Sequence, residues 1–305
     1  MEVLQDKYYE FQKFWDWAVS ISDPRVKDWP LMQSYTPTIA LTILYIFSVI
    51  VGKRVMANRD PIKFKYTLFF YNLGLIILNF HISATLFISA YRAGYSLQCQ
   101  SVKYSYDVNE YNIACALWWF YISKLVEMMD TIFFVLRKKN NQISFLHVYH
   151  HASMFPLWFI GVKWVAGGQS FFGAMINSFI HVLMYSYYGL SALGPHMQKY
   201  LWWKRYLTIL QLIQFVVGII HAAQSLFFRC DFPEWMHWAL CLYAFSILLL
   251  FLNFYFHAYI VSLRRQKQSR SSAKGEVNGK STENGSSSVN GSSVANGHME
   301  TKKDK

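Results

Sequence analysis

The chain has 305 residues, enough for two soluble domains or one polytopic membrane domain. Hydrophobic residues make up 54%, aromatics 19% and charged residues only 15%, where a soluble protein carries roughly a quarter charged, so the soluble classes are excluded. A net charge of +12 spread over a soluble surface would suit nucleic acid, but here the charges are bunched between long uncharged stretches, which excludes that partner as well.

Trp29–Gly52, Tyr66–Tyr91, Asn140–Val162, Trp164–Gln198, Tyr206–Phe228 and Trp235–Leu263 all lack Asp, Glu, Lys and Arg. Each reaches the roughly 20 residues needed to cross about 30 Å of hydrocarbon. A further apolar segment, near Asn112–Leu136, is broken only by Lys124, Glu127 and Asp130, giving seven candidate spans. Lys and Arg alternate between rich and poor connections: five in Lys53–Lys65, two at Arg92 and Lys103, three at Arg137–Lys139, one at Lys163, three at Lys199, Lys204 and Arg205, one at Arg229, and nine after Val261. The positive-inside bias puts the rich set and the C-terminus in the cytosol and the N-terminus across the membrane, as an odd number of spans requires.

Taken in order, Met1–Trp29 mixes charges with Phe11, Phe14, Trp15 and Trp17 and suits an amphipathic segment on the lumenal interface. It lacks a signal-peptide pattern, so the spans themselves are expected to direct insertion. Residues 1–34 form this lumenal segment, 35–263 the membrane domain, and 264–305 a tail. Span one runs from Pro37 to Gly52, and span two from Lys65 to Tyr91 with Asn72, Asn79 and His81. The lumenal connection Ala90–Tyr111 is long enough to fold back under the bundle. It contains Cys99, which is expected to pair with Cys230 in another lumenal connection, where oxidation is permitted. Cys115 and Cys241 lie in spans as small packing residues.

Span three places Lys124, Glu127 and Asp130 at i, i+3 and i+6, so they wind along one side of a helix and Lys124 and Glu127 can neutralise each other. Either a structural ion pair or a catalytic role requires that side to point inward. Span four carries His147, His150 and His151 at i, i+3 and i+4 on one face, inside a run of 23 uncharged residues. Three ionisable rings on one intramembrane face read as a functional site lining a protein-walled cavity. Pro156 should kink or end that helix a turn later. After a turn at Gly167-Gly168, span five presents Asn177, His181 and Tyr185 at i, i+4 and i+8, a second polar stripe able to face the first. Span six has Thr208, Gln211 and Gln214 at helical spacing plus His221, either a site or interhelical glue, and span seven has Asn253 and His257.

Beyond Leu263, Arg264–Arg270 is a basic juxtamembrane patch suited to anionic headgroups or phosphates. Ser271–Lys305 is Ser, Asn, Gly and Lys rich with no apolar period and is expected to be disordered. Its end, Lys302-Lys303-Asp304-Lys305, resembles the dilysine retrieval signal of endoplasmic reticulum membrane proteins.

Clustered imidazoles in a bundle permit two chemistries. As metal ligands they would suit iron or zinc in a membrane desaturase or hydroxylase. That reading needs further His boxes, and only His81, His181, His221 and His257 remain, each isolated, with Glu127 and Asp130 as the available carboxylates. Alternatively, imidazole attacks a thioester to give an activated acyl-imidazole, or acts as general base. A seven-span receptor of the same orientation is a third class, although the His box lies close to the cytosolic Arg137–Lys139 rather than on the lumenal side.

His147-Val-Tyr-His150-His151 resembles the HxxHH box of the endoplasmic reticulum fatty acid elongases, the 3-ketoacyl-CoA synthases. Lys124-Leu-Val-Glu127-Met-Met-Asp130-Thr131, His181-Val-Leu-Met184-Tyr185-Ser-Tyr187-Tyr188 and Thr208-Ile-Leu-Gln211-Leu-Ile-Gln214-Phe215 resemble three companion motifs of that family, in order, and the resemblance covers nearly all of residues 20–262. Trp29-Pro-Leu-Met-Gln-Ser34, Val165-Ala-Gly-Gly-Gln169 and Trp235-Met-His-Trp-Ala239 are most similar to its vertebrate type-4 branch, which acts on very long chains.

The resemblance implies an all-α fold of seven transmembrane helices, spans two to seven forming a barrel around a tunnel closed at the lumenal end, with span one outside. It implies condensation of a long-chain acyl-CoA with malonyl-CoA, with no cofactor and no metal, in the endoplasmic reticulum membrane and beside the other enzymes of the elongation cycle. Homo- or hetero-oligomers are compatible with it. His150 and His181 would then carry or position the acyl group, and His147 and His151 would orient them or move protons. Asn177 and Gln211 would hold carbonyl oxygens, with Gln214, Tyr185, Lys124, Glu127 and Asp130 supporting the site. Arg137, Lys139, Lys204, Arg205 and Arg264 would meet the CoA phosphates at the cytosolic rim.

Overall fold

The computed structural model describes residues 2–261; the basic patch at Arg264, the tail and the Lys302-Lys303 signal lie outside the described residues. Among the described residues there are helices and no strands. The helices are α1 (Glu2–Ser20), α2 (Thr36–Met56), α3 (Lys65–Arg92), α4 (Val108–Glu127), α5 (Met129–Leu136), α6 (Phe145–Val165), α7 (Ser170–Ala192), α8 (Lys204–Phe227) and α9 (Glu234–Tyr255). Residues through Phe254 form one compact unit. A second unit begins at Tyr255, and its described residues include a π-helical stretch at Phe256–Val261.

Among the described residues, four helices are long and apolar enough to cross a bilayer: Thr36–Met56, Lys65–Arg92, Lys204–Phe227 and Glu234–Val261. The protein is therefore a multi-pass membrane protein. Their outer faces carry rows of exposed large apolar side chains, such as Ile43 and Phe47 on α2, Ile77 and Phe80 on α3, and Leu242 and Leu249 on α9. Exposed apolar area on that scale needs a non-aqueous covering, which lipid supplies. Helices α4, α6 and α7 set charged or polar side chains among their apolar ones, and α5 is only eight residues long.

Those interior helices form the centre. α3 packs along α7 and α4, α4 on α6, α2 on α5 and α6, and α7 on α8. The core is built from Ile82, Leu86, Ile113, Leu117, Phe120, Tyr121 and Phe155, with the Tyr121 and Phe155 rings stacked at 4.7 Å. Gly52 permits the close approach of α2 to α5, since a Cβ there would sit 2.9 Å from a Val135 methyl.

Three local features differ from the sequence reading. The third apolar segment is two helices, because the Tyr71 hydroxyl donates to the Val126 carbonyl (3.1 Å), the acceptor that the Asp130 N–H would otherwise use. The backbone tightens there through Met128 N–H to Leu125 O and Thr131 N–H to Met128 O, an insertion of the kind that breaks a helical ladder. Second, of the two outcomes expected at Pro156, an end of the helix does not occur, since α6 runs through it to Val165. A proline costs one ladder bond, which is tolerated when neighbouring helices hold the rod in place. Third, Lys163 is no loop charge: it lies in the last turn of α6, 2% exposed, and its Nζ donates to Met32 O at 2.8 Å.

The connections at the α6 C-terminal end are tied together. Cys99 and Cys230 form a disulfide, Gln169 Nε2 donates to Gln98 O (3.1 Å), and Tyr104 OH donates to Trp164 O (3.1 Å). Gly168 turns with φ +54° against Gln100 and Val102, where a Cβ would meet backbone at 2.9 Å. The segment between α1 and α2 is drawn inward. Arg25 is buried against Asp23 (2.6 Å) and donates to Glu110 O and Ala166 O. Burial alone would lower the Arg25 pKa, but the hydrogen bond and charge of Asp23 outweigh it and the net shift is upward.

Candidate active site

Three helices bring the polar stripes together. The last turn of α4 presents Lys124 and Glu127, both almost fully buried, and the first turn of α5 presents Asp130. Across from them α7 presents Asn177, His181 and Tyr185 one turn apart, and α6 presents His147, His150 and His151. The N-terminus of α6 is set by Ser144, whose Oγ accepts the His147 N–H at 3.2 Å, so the capping residue fixes the rotation of the His face.

Lys124 Nζ lies 3.0 Å from both Glu127 carboxylate oxygens, 3.1 Å from Asn177 Oδ1 and 3.5 Å from His181 Nδ1. Glu127 Oε1 is in turn 3.1 Å from His181 Nδ1. An ammonium can only donate, so Asn177 must turn its oxygen to Lys124 and its NH2 away. The ammonium also stands 4.3 Å over the Phe120 ring. Asp130 Oδ2 accepts from the Tyr185 hydroxyl at 2.9 Å.

The α6 histidines form a second group. His147 Nε2 is 2.9 Å from Thr131 Oγ1, which is itself 2.9 Å from the Tyr45 hydroxyl of α2. The His147 and His151 rings are 4.5 Å apart and the His150 and His151 rings 5.2 Å. His150 lies within electrostatic range of Lys124, Glu127 and His181.

Against these groups opens a cavity of about 220 Å³ whose wall is predominantly apolar. His150, Asn177 and Gln214 line it toward one end, and the wall continues along α6 to Val165 and across to α8 and α9. From His150 to Val165 one helix spans about 22 Å at 1.5 Å per residue.

Of the remaining residues predicted from sequence, Gln211 does not line this cavity; its Nε2 points at Met184 Sδ at 3.6 Å. Arg137 is half-buried, and Lys139, Lys204 and Arg205 are exposed, at the end of the bundle where α5 stops and α6 and α8 start. His81 sits on an exposed face of α3, and His221 lines the far part of the cavity. Among the described residues no three His, Cys, Asp or Glu side chains come together as the ligands of a metal ion would. Sequence reasoning missed Thr131 and Tyr71. Thr131 stands in a motif already singled out, whereas nothing in the pattern around Tyr71 marks it as reaching another helix.

The arrangement can do acyl chemistry: imidazoles beside an apolar cavity, an amide that offers N–H donors, and a buried ion pair holding one ring. Its relatives point the same way. Residues 30–269 match the ELO (GNS1/SUR4) family. The chain is 55% identical over 279 residues to very long chain fatty acid elongase 4 of Homo sapiens, covering 92% of this chain and 87% of that protein. It is 56% identical to elongase 4 of Mus musculus, covering 92% and 89%, and 47% identical to very long chain fatty acid elongase 2 of Rattus norvegicus, covering 84% and 91%. With its motifs in order along the matched region and relatives this close over nearly its whole length, the chain belongs to the ELO (GNS1/SUR4) family.

Proposed function

We propose that the protein is the condensing enzyme of very-long-chain fatty acid elongation, a 3-oxoacyl-CoA synthase. It joins a long-chain acyl-CoA to malonyl-CoA, giving a 3-ketoacyl-CoA two carbons longer, CO2 and CoA. The observation that carries this reading is an elongated apolar cavity with His150 and Asn177 in its wall beside the Lys124–Glu127–His181 cluster. A fatty chain is the ligand such a space favours, at about 0.8 kcal/mol per buried CH2.

In the first half-reaction a ring nitrogen of His150 or His181 attacks the thioester carbonyl. The C–N bond forms, the C–S bond breaks, and CoA leaves as the thiol. In the second, malonyl-CoA loses CO2, and the resulting α-carbon attacks the acyl-imidazole, forming the C–C bond and releasing the ring. The Asn177 NH2, turned away from Lys124, can donate to the carbonyl oxygen as charge develops. Glu127 holds the His181 ring, and Thr131 holds His147. Gln214 in the cavity wall is better placed for a carbonyl than Gln211.

The fold that goes with this activity has seven spans, the α4–α5 pair, α6 and α7 crossing as well, with spans two to seven closed into a barrel and span one outside. The end bearing Arg137, Lys139, Lys204 and Arg205 faces the cytosol, where CoA phosphates need cations. The N-terminus then lies in the lumen of the endoplasmic reticulum, an oxidising compartment consistent with the disulfide.

The test is intact-protein mass spectrometry after adding a saturated C24 acyl-CoA without malonyl-CoA, followed by product analysis once malonyl-CoA is supplied. A retained acyl mass on a peptide containing His150 or His181, released by malonyl-CoA as the ketoacyl product, is expected. His150→Ala should lose both; turnover unchanged in that variant removes His150 from the mechanism.

A further inference from the structure

The far part of the cavity is not apolar throughout. Gln169, His221 and His237 are 5%, 9% and 3% exposed, all three line the cavity, and each leaves a buried polar atom without a hydrogen-bond partner: Gln169 Oε1, His221 Nε2 and His237 Nε2. Buried polar atoms are almost always paired, so three in one place need an explanation.

They belong to one cluster. Gln169 Nε2 donates to Ser225 Oγ and to Gln98 O, and Ser225 Oγ donates to His221 O at 3.1 Å. A carbonyl at Gln98 accepts only, which settles that the Gln169 amide presents its oxygen elsewhere. The His221 ring is hydrogen-bonded to the Leu97 backbone, lies within electrostatic range of His237 and stacks on Phe172 at 4.3 Å, while His237 rests on Phe232 at 4.7 Å. The aromatic contacts hold both rings in place.

We propose that this end of the cavity is a second, polar subsite that receives a hydroxyl at the terminus of the acyl chain, so that the protein accepts ω-hydroxyacyl-CoA as well as plain acyl-CoA. This rests on the reading that the chain lies in the cavity with its thioester at His150. The ligand class follows from the donor and acceptor set. Gln169 Oε1 accepts only, so the ligand must donate. An imidazole Nε2 accepts or donates according to its tautomer, and a hydroxyl serves either. An ammonium or carboxylate would carry its charge into a wall that is otherwise apolar, which a neutral hydroxyl does not. The reach agrees: a C–C bond of about 1.5 Å advances an extended chain roughly 1.25 Å per carbon, so about 18 carbons span the 22 Å from His150 to the level of Val165. A longer chain reaches the same place by bending.

The experiment compares purified wild-type protein with paired plain and ω-hydroxy acyl-CoAs from C16 to C26, each with malonyl-CoA, reading kcat/KM for the ketoacyl product. In a wholly apolar tunnel a terminal hydroxyl would lower kcat/KM by about tenfold to a hundredfold at every length. With the subsite, the ω-hydroxy chain is expected to match or exceed the plain one at the length that reaches Gln169. Gln169→Leu and His237→Phe should each lower the ratio of hydroxy to plain kcat/KM about tenfold at that length. A penalty at every length in the wild type, or a ratio that neither variant moves, overturns the subsite and leaves the condensing activity standing. If neither chain is extended, the condensing activity falls, and the subsite with it.

Discussion

Replacing Glu127 by Gln tests whether the buried cluster is organised by its ion pair. Glu127 and Lys124 are 0% and 1% exposed, with Nζ 3.0 Å from each carboxylate oxygen. At that separation two unit charges attract by about 5–6 kcal/mol at an effective dielectric of roughly 20. Bringing each ion out of water costs several kcal/mol, so the intact pair contributes little net stability. Losing one partner differs, because Glu127→Gln leaves the Lys124 ammonium buried without the carboxylate it is hydrogen-bonded to, which costs about 3–5 kcal/mol. For a domain of this size that corresponds to a Tm lower by roughly 6–20 °C. The same change removes the carboxylate that holds His181 Nδ1 at 3.1 Å. Condensation of long acyl-CoA with malonyl-CoA should therefore fall about a hundredfold, the usual consequence of a misplaced group. Thermal unfolding in detergent micelles and turnover are both read. The double variant Lys124→Met/Glu127→Leu removes both charges and should regain most of the stability without regaining activity. A single variant whose Tm stays within about 2 °C of wild type, the size of a surface substitution, would refute the ion pair as organiser of the site.

Thr131→Val should leave both His147 Nε2 and the Tyr45 hydroxyl without their shared partner, destabilising the protein by about 1–3 kcal/mol and lowering kcat more than it raises KM; an unchanged kcat would show that His147 needs no such anchor. Cys99→Ser opens a loop of 131 residues and should lower the Tm by the equivalent of about 2–5 kcal/mol, with turnover at low temperature preserved. Reductant should bring the wild type to the same Tm and leave the variant alone; a wild type indifferent to reductant argues against the bond. Asp23→Ala strands the buried Arg25 guanidinium, for about 3–5 kcal/mol of lost stability. Adding Arg25→Met should recover part of it, and a variant as stable as wild type would show that the pair is not buried in the membrane-embedded protein.

Much of the candidate site is legible in the amino-acid sequence, because helical periodicity is a local property. His147, His150 and His151, and likewise Asn177, His181 and Tyr185, recur at spacings that place them on one face of whichever helix contains them. Charges inside uncharged runs stand out equally, since a bilayer admits such groups only where protein surrounds them. Lys163 shows where this reasoning stops: its neighbours in sequence mark it as a loop cation, yet a single carbonyl from the distant Met32 lets it end a helix in the interior.

By itself the sequence determined the composition of each rod, the faces on which its polar groups lie and the family motifs, all of which depend on residues within a few turns of one another. Which rods touch was decided only by tertiary structure. The break at Met128 comes from the Tyr71 hydroxyl, the clamp on His181 from residues more than fifty positions away, and the three orphaned polar atoms at the far end of the cavity from the meeting of α7, α8 and α9. Each depends on a partner remote in the chain, and no spacing along one segment carries information about which partner packing will supply.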